Sequence, residues 1–401
     1  MPRINPEAPE TGMIVGEFDG LKNTINPERM GEKDLVRAIN IDLDDAGQIS
    51  RRRGFIKKVC GNAHSPFQTF QGITLLVLDG ALGILNPDYS FTSLQTGIGS
   101  DPAKGTPPLA YAQVGDTVYY SGVANSGKID LDAKTVSAWG TGEDLWLSPV
   151  VNPTATLPAV AGRLLGPPPL ATTLAYFNGR IYMGVGSTLW ATVLYTYDYV
   201  DKTAGFKQFE APITMIGAVG DGVYVGTTEG LWFLTGPQYS EMKRTRVMDS
   251  PVIPGSMVII PAELGNPPQI SRQADEPVQV ALAFLTNNGF CVAQDGGQTY
   301  NLTESKLFMP NSASAAAMYR RMDGVNQYIT TMQNADPASA AGKIGDYVDA
   351  TIIRGAKRGG WVIVPPDCNQ IGDALSPSWP PSGGGTVSVH DALAPTWVPH
   401  T

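Results

Sequence analysis

The chain has 401 residues, 42% of them hydrophobic and only 16% charged, with 45 glycines, 32 prolines and a formal net charge of −9. That is ample for a large core, and so much glycine and proline suits many short strands joined by turns better than long helices. The acidity excludes tight, salt-sensitive wrapping of DNA, which needs many basic groups at phosphates, and no run of ~18 or more apolar residues suggests a membrane-spanning helix.

Residues 1–60 hold ten basic and ten acidic residues, whereas residues 61–240 hold seven and thirteen. The N-terminal segment is therefore neutral but locally basic, and the acidity lies in the body. Within it, "NIDLDDAGQISRRRGF" (40–55) reads as a hairpin, with strands over 38–44 and 48–55 around a "DDAG" turn. A calcium loop is the competing reading. With Asp42 at its first position, Asp44, Gly47 and Ile49 fall where an EF-hand needs them. However, Ala46 replaces a ligand and Arg53 stands where the bidentate glutamate belongs, so too few oxygens remain. On a strand, Arg51 and Arg53 share one face and Arg52 takes the other. That split, with no aromatic platform beside it, fits salt bridges across an interface at least as well as contact with nucleic acid. Asp42, Asp44, Arg51, Arg52 and Arg53 are the candidate interface residues.

Residues 61–364 read as a meander of short antiparallel strands. Stretches beginning at Gln68, Ala110, Ala175 and Gly217 repeat the order strand, glycine turn, strand, glycine turn, strand. Their first turn glycines are Gly72, Gly115, Gly179 and Gly222, and looser copies carry Gly289 and Gly324. The shorter intervals match the ~40–50 residue blade period of a β-propeller, and about six blades are expected. Rim insertions are expected near 141–169 and 250–276. "AQDGGQTY" (293–300) resembles the Asp-box turn of sialidase-like propellers at Asp295, Gly297 and Thr299. The only short helix candidates are "GEKDLVRAIN" (31–40) and "ASAAAMYRRM" (313–322). Residues 365–401, rich in proline, glycine and serine, read as an extended tail or clip. The expected class is all-β: a propeller of about six blades with an N-terminal hairpin arm over 1–60, rim loops and a C-terminal tail.

Chemistry is sparse. Cys60, Cys291 and Cys368 are far apart, odd in number and without metal spacing, so they read as incidental thiols in a chain folding in a reducing cytoplasm. The N-terminal stretch has no apolar run like a signal-peptide core. His64, His390 and His400 fall in loop-like or terminal segments, and no HExxH, GxSxG or P-loop pattern occurs. A glycosidase would need only two carboxylates, which sequence cannot select among 37 acidic residues. No cofactor, metal or enzymatic activity is expected. Trp190 and Trp232 occupy equivalent places in the repeat, which suits core packing.

Residues 18–55 resemble the N-terminal segment of many tailed-phage virion proteins. The matching residues are Phe18, Gly20, Leu21, Asn23, Pro27, Glu28, Ala38, Asn40, Ile41, Asp42, Leu43, Asp44, Gly47, Ile49, Arg52, Gly54 and Phe55. Joined to a propeller-like body, the pattern is most like the tail nozzle or hub of short-tailed phages. The resemblance implies a homohexameric ring below the portal and adaptor proteins, continuing the DNA channel and docking tail fibres or spikes. Double-stranded DNA would pass without specific binding. It further implies assembly in the host bacterial cytoplasm and a place in the virion tail. A head–tail stopper or connector would keep the same motif. A glycan-binding or glycan-cleaving propeller is the alternative from another class, and a cellular scaffold propeller lacks any WD or kelch signature.

Overall fold

Two-residue turns organise this chain. Asn178 and Gly179 both have positive φ, 44° and 74°, and join Phe177 to its partner Arg180. This is the geometry that Asn-Gly supplies to tight hairpins whose strands twist right-handedly. Gly222, expected to play the same part, does not have positive φ. A Cβ there would lie 2.5 Å from the Leu234 carbonyl and 2.6 Å from the Phe233 ring, so this glycine serves close backbone approach.

The computed structural model describes residues 17–22, 24–25, 27–35, 41–43, 48–51, 58–140, 142–147, 162–261, 280–304, 306–307, 309, 312–322, 325–333, 388–390 and 397–399. Near the N-terminus, β1 (Gly20–Leu21) runs parallel to β2 (Asp34–Leu35), and β3 (Ile41–Leu43) pairs antiparallel with β4 (Ile49–Arg51) in the register Ile41↔Arg51. The two expected strands thus pair over these residues, and residues 38–40, 44–47 and 52–55, with the expected turn between the strands, lie outside the described residues. Asp34–Leu35 is strand where a helix was expected over 31–40, and residues 36–40 lie outside the described residues.

Five sheets follow. The first is β5 (Ala63–Gln68), β6 (Thr74–Leu78), β7 (Ala81–Leu85) and β8 (Phe91–Thr96). The second is β9 (Ala110–Val114), β10 (Thr117–Ser121), β11 (Ser126–Asp130) and β12 (Thr135–Ser137). The third contains β13 (Leu145–Leu147), β14 (Arg163–Gly166), β15 (Thr173–Phe177), β16 (Arg180–Val185), β17 (Thr188–Val193), β18 (Thr196–Asp201) and β19 (Phe206–Gln208). The fourth is β20 (Ile213–Ala218), β21 (Val223–Thr227), β22 (Leu231–Thr235) and β23 (Lys243–Met248). The fifth is β24 (Val258–Pro261), β25 (Val280–Thr286), β26 (Gly289–Ala293) and β27 (Thr299–Asn301). Beyond them, β28 (Ser314–Met322) and β29 (Val325–Gln333) form a hairpin, and β30 (Ser388–His390) pairs with β31 (Trp397–Pro399).

The fold is all-β and propeller-like. The expected six blades are corrected to four regular four-stranded blades, with one seven-stranded sheet among them. Among the described residues no sixth blade follows the fifth sheet; a two-stranded hairpin does. The alanine-rich stretch 313–322 lies within that hairpin rather than a helix, because nine register pairs with β29 outweigh intrinsic helix propensity. The described ends of the expected 141–169 insertion form β13 and β14, which widen the third sheet beyond β18. The expected 250–276 insertion contributes β24 to the fifth sheet, and its residues 262–276 lie outside the described residues, as does most of the 365–401 tail.

Packing between successive sheets builds the core. Leu75, Val77 and Leu82 meet Val118, Tyr120 and Ile129 between the first and second sheets. Tyr119 and Trp139 meet Leu174, Ile181 and Met183 between the second and third. Tyr182 and Leu189 meet Ile216, Val223 and Leu234 next, and Tyr224 and Phe233 meet Leu282 and Phe284 last. Each fully buried side chain of this kind stabilises by about 1.5–3 kcal/mol. The first strand β15 neighbours both β9 and β20, the first strands of the sheets on either side, which puts these strands toward the axis. The last strands, such as β12 and β23, are mostly exposed. Serine hydroxyls close two joints: Ser65 Oγ accepts from Leu109 N at 2.9 Å and Ser121 Oγ from Ala171 N at 2.8 Å.

Candidate interaction site

Antiparallel meanders send alternate loops to opposite ends of a sheet. The loops β5–β6, β7–β8, β9–β10, β11–β12, β15–β16, β17–β18, β20–β21, β22–β23 and β26–β27 therefore share one face, here called the turn face. Hydrogen bonds between loops of different sheets tie it together. At the first joint, Phe70 N donates to Gln113 Oε1 at 2.9 Å, Gln113 Nε2 to Gln71 Oε1 at 2.6 Å, and Gln71 Nε2 to Asp116 Oδ1 at 2.7 Å. At the last joint, Gly220 N donates to Asp295 Oδ1 at 2.7 Å and Gly296 N to Asp221 Oδ2 at 2.9 Å. The Tyr224 hydroxyl donates to the Gln298 carbonyl at 3.1 Å. The Asp-box-like stretch is thus a turn between β26 and β27 that clamps one sheet to the next.

Two kinds of side chain project from this face. Phe70, Tyr195 and Tyr89 are 86%, 70% and 52% exposed, well beyond what a packed aromatic shows. Asp88, Asp116, Asp132 and Asp221 are exposed carboxylates, with Asp295 half-buried among them. None of the described ion pairs involves these five. The Ser90 hydroxyl and amide hold the Asp88 carboxyl below the usual carboxylate range. Lys134 shares the face, and Arg180 spends a donor on the Thr192 carbonyl at 2.5 Å. The face carries net negative charge studded with aromatic rings.

The N-terminal arm meets this face at one described point, where Lys58 Nζ lies 5.6 Å from the centre of the Tyr89 ring. Asp42 and Arg51 stand on the paired strands β3 and β4, with Asp42 opposite Ser50. Every residue of β4, Arg51 included, is exposed. Asp44, Arg52 and Arg53 lie outside the described residues. Sequence reasoning singled out Asp295 as a turn residue but missed Asp88, Asp116, Asp132 and Asp221, because these positions share one face only once strand register is known. Among the described residues, no group of three or more histidine, cysteine or acidic side chains could hold a metal ion.

One cysteine departs from expectation and one meets it. Cys60 is disulfide-bonded, to a partner outside the described residues. Cys291 is a free, buried thiol whose burial pushes its pKa up to about 11.

No family model and no curated protein matches the chain. Among solved structures it is similar to PorZ, a surface component of the type-IX secretion system of Porphyromonas gingivalis, at 11% identity and a TM-score of 0.36. That likeness covers 65% of this chain and 29% of PorZ, so the chain spans under a third of it. The extracellular domain of a hybrid two component system from B. thetaiotaomicron is similar at 12% identity and TM-score 0.38, covering 66% of this chain and 34% of that one. The N-terminal domain of Nup159 is similar at 9% identity and TM-score 0.39, over 68% of this chain and 73% of that domain. At TM-scores below 0.5, none of these likenesses bears on what the chain does.

Proposed function

We propose that the chain is a structural protein of a short-tailed phage virion, the nozzle or hub subunit of the tail. The observation that carries this reading is the arm. The stretch that resembles phage virion proteins contains the hairpin β3–β4, and all of β4 is exposed, as a strand held out for a partner would be. A homohexameric ring would join portal and adaptor proteins above and tail fibres or spikes outside. Double-stranded DNA would pass through the ring without specific binding. The acidic balance of the body supports that passage, since like charge repels phosphate at short range. No catalysis or cofactor is required. Assembly in bacterial cytoplasm is part of the proposal, and the Cys60 disulfide takes away the support that unpaired thiols would lend it.

Immunogold labelling of virions from the encoding phage tests the reading. Gold confined to the distal tail supports the nozzle, gold at the neck moves the subunit to a stopper or connector, and unlabelled virions remove the virion reading. A glycan-binding propeller is the second reading, favoured by the exposed rings of Phe70, Tyr89 and Tyr195 beside carboxylates. It predicts measurable affinity of the isolated chain for immobilised saccharides.

A further inference from the structure

We propose that the turn face receives the basic N-terminal segment of a second copy of this chain, so that successive subunits join arm to face. The inference rests on the ring reading above and names the two surfaces that would close it. A ring needs a heterologous interface, in which two different patches of one subunit complement each other. This chain has such a pair. The receiving face carries Phe70, Tyr89 and Tyr195 as exposed apolar anchors and Asp88, Asp116, Asp132 and Asp221 as exposed carboxylates on its loops. Exposed aromatic rings are what an interface core buries, and a rim of one charge sign selects a partner of the other.

The partner is argued from charge and from the arm's position. The densest basic stretch in the sequence is 51–58, with Arg51, Arg52, Arg53, Lys57 and Lys58. Of that stretch, Arg51 is exposed on β4 and Lys58 reaches Tyr89 of its own subunit, while residues 52–57 lie outside the described residues. Lys58 over the Tyr89 ring shows the chemistry of the match on a small scale: a cation against an aromatic at the edge of an acidic face. Lys134, in the β11–β12 loop, reduces the attraction locally, so the contact centres on the β7–β8 and β9–β10 loops around Asp88 and Asp116.

The test uses the full-length chain and sedimentation velocity across concentration and salt. An arm variant carries Arg51→Glu and Arg53→Glu. A face variant carries Asp88→Lys, Asp116→Lys and Asp132→Lys. Asp132→Lys alone guards against misfolding, because that carboxylate accepts no described hydrogen bond, and circular dichroism checks each fold. The wild-type chain should self-associate, more weakly as salt rises. Each multiple variant should associate about tenfold more weakly or worse. Mixing the two should restore association, because a reversed arm then meets a reversed face. Association that survives in both variants would overturn the turn face as the receptor and leave the ring itself standing. A wild-type chain that stays monomeric at low salt would overturn arm-to-face docking, and labelling of virions would then judge the nozzle separately.

Discussion

Cutting the Asp295 clamp is expected to loosen the joint between the fourth and fifth sheets by an amount the structure sets. Asp295 takes the Gly220 amide at 2.7 Å, and Asp221 takes the Gly296 amide at 2.9 Å, so two charge-assisted bonds cross one gap in opposite directions. Hydrogen bonds to charged groups contribute about 1.5–3 kcal/mol. Gly220 and Gly296 are exposed, so water recovers part of that, and Asp295→Ala or Asp221→Ala should each cost about 1 kcal/mol. The two bonds share the same loops. Once one is lost the other is less well held, and the double variant should cost less than the sum by roughly 0.5 kcal/mol. Urea denaturation followed by tryptophan fluorescence gives all three values. Singles within about 0.3 kcal/mol of wild type would refute the reasoning. The joint would then rest on packing, with Gly297 against Phe233 and Tyr224 buried beneath.

Acidification should weaken the first joint through His64. Its Nε2 is buried without a partner and its Nδ1 lies 2.8 Å from Ser65 Oγ. Burial lowers its pKa from 6.5, against the opposing pull of Asp101. The folded state therefore favours neutral imidazole, so its stabilisation is present above the unfolded pKa and is lost as pH falls through the folded value. Thermal melts between pH 7.5 and 5 should show that decline, and His64→Gln should flatten it. Cys291, with its pKa raised from 9.0 to about 11, should react with iodoacetamide at pH 8 about a hundredfold more slowly in the native chain than in urea, as read by peptide mass mapping. Arg244 lies 4.6 Å from the Trp232 ring and donates to Gln208 O and Glu210 across to the third sheet. Arg244→Ala should cost about 1–2 kcal/mol and red-shift tryptophan emission as Trp232 meets water.

Local chemistry made the strands legible. The Asn178-Gly179 hairpin and the Asp295 turn were readable because positive φ and short polar side chains are local demands that local sequence must meet. Blade number was not readable, since it depends on which strands pair rather than on where they lie. The glycine at 222 looks like its counterparts in the repeat, yet it meets a steric limit set by Leu234 and Phe233 on the next strand. The run from Ala313 to Met322 has the composition of a helix, but its pairing with β29 decides its state. Leu145, Trp146 and Leu147 fall outside the glycine-turn repeat, in the stretch expected to be an insertion, so the repeat did not mark them as an edge strand of the third sheet.

The candidate site divides along the same line. The pairing in its arm was legible because charge and turn are packed into sixteen consecutive residues, "NIDLDDAGQISRRRGF", and β3 and β4 pair within that stretch. Its face half was not, because all of its carboxylates but Asp132 answer first to a hydrogen bond in or between the turns. Asp88 holds Ser90, Asp116 takes the Gln71 amide, and Asp221 and Asp295 hold backbone of the facing loop. Read singly, each is ordinary turn chemistry. Only the shared end of the sheets gathers their charge onto one surface, and no spacing in the sequence encodes that end. A surface built this way stays acidic whatever it binds, since four of its five carboxylates are already needed for the turns. Selection on a partner then acts most freely on residues the turns do not require, and Phe70, Tyr89 and Tyr195 are exposed at those positions.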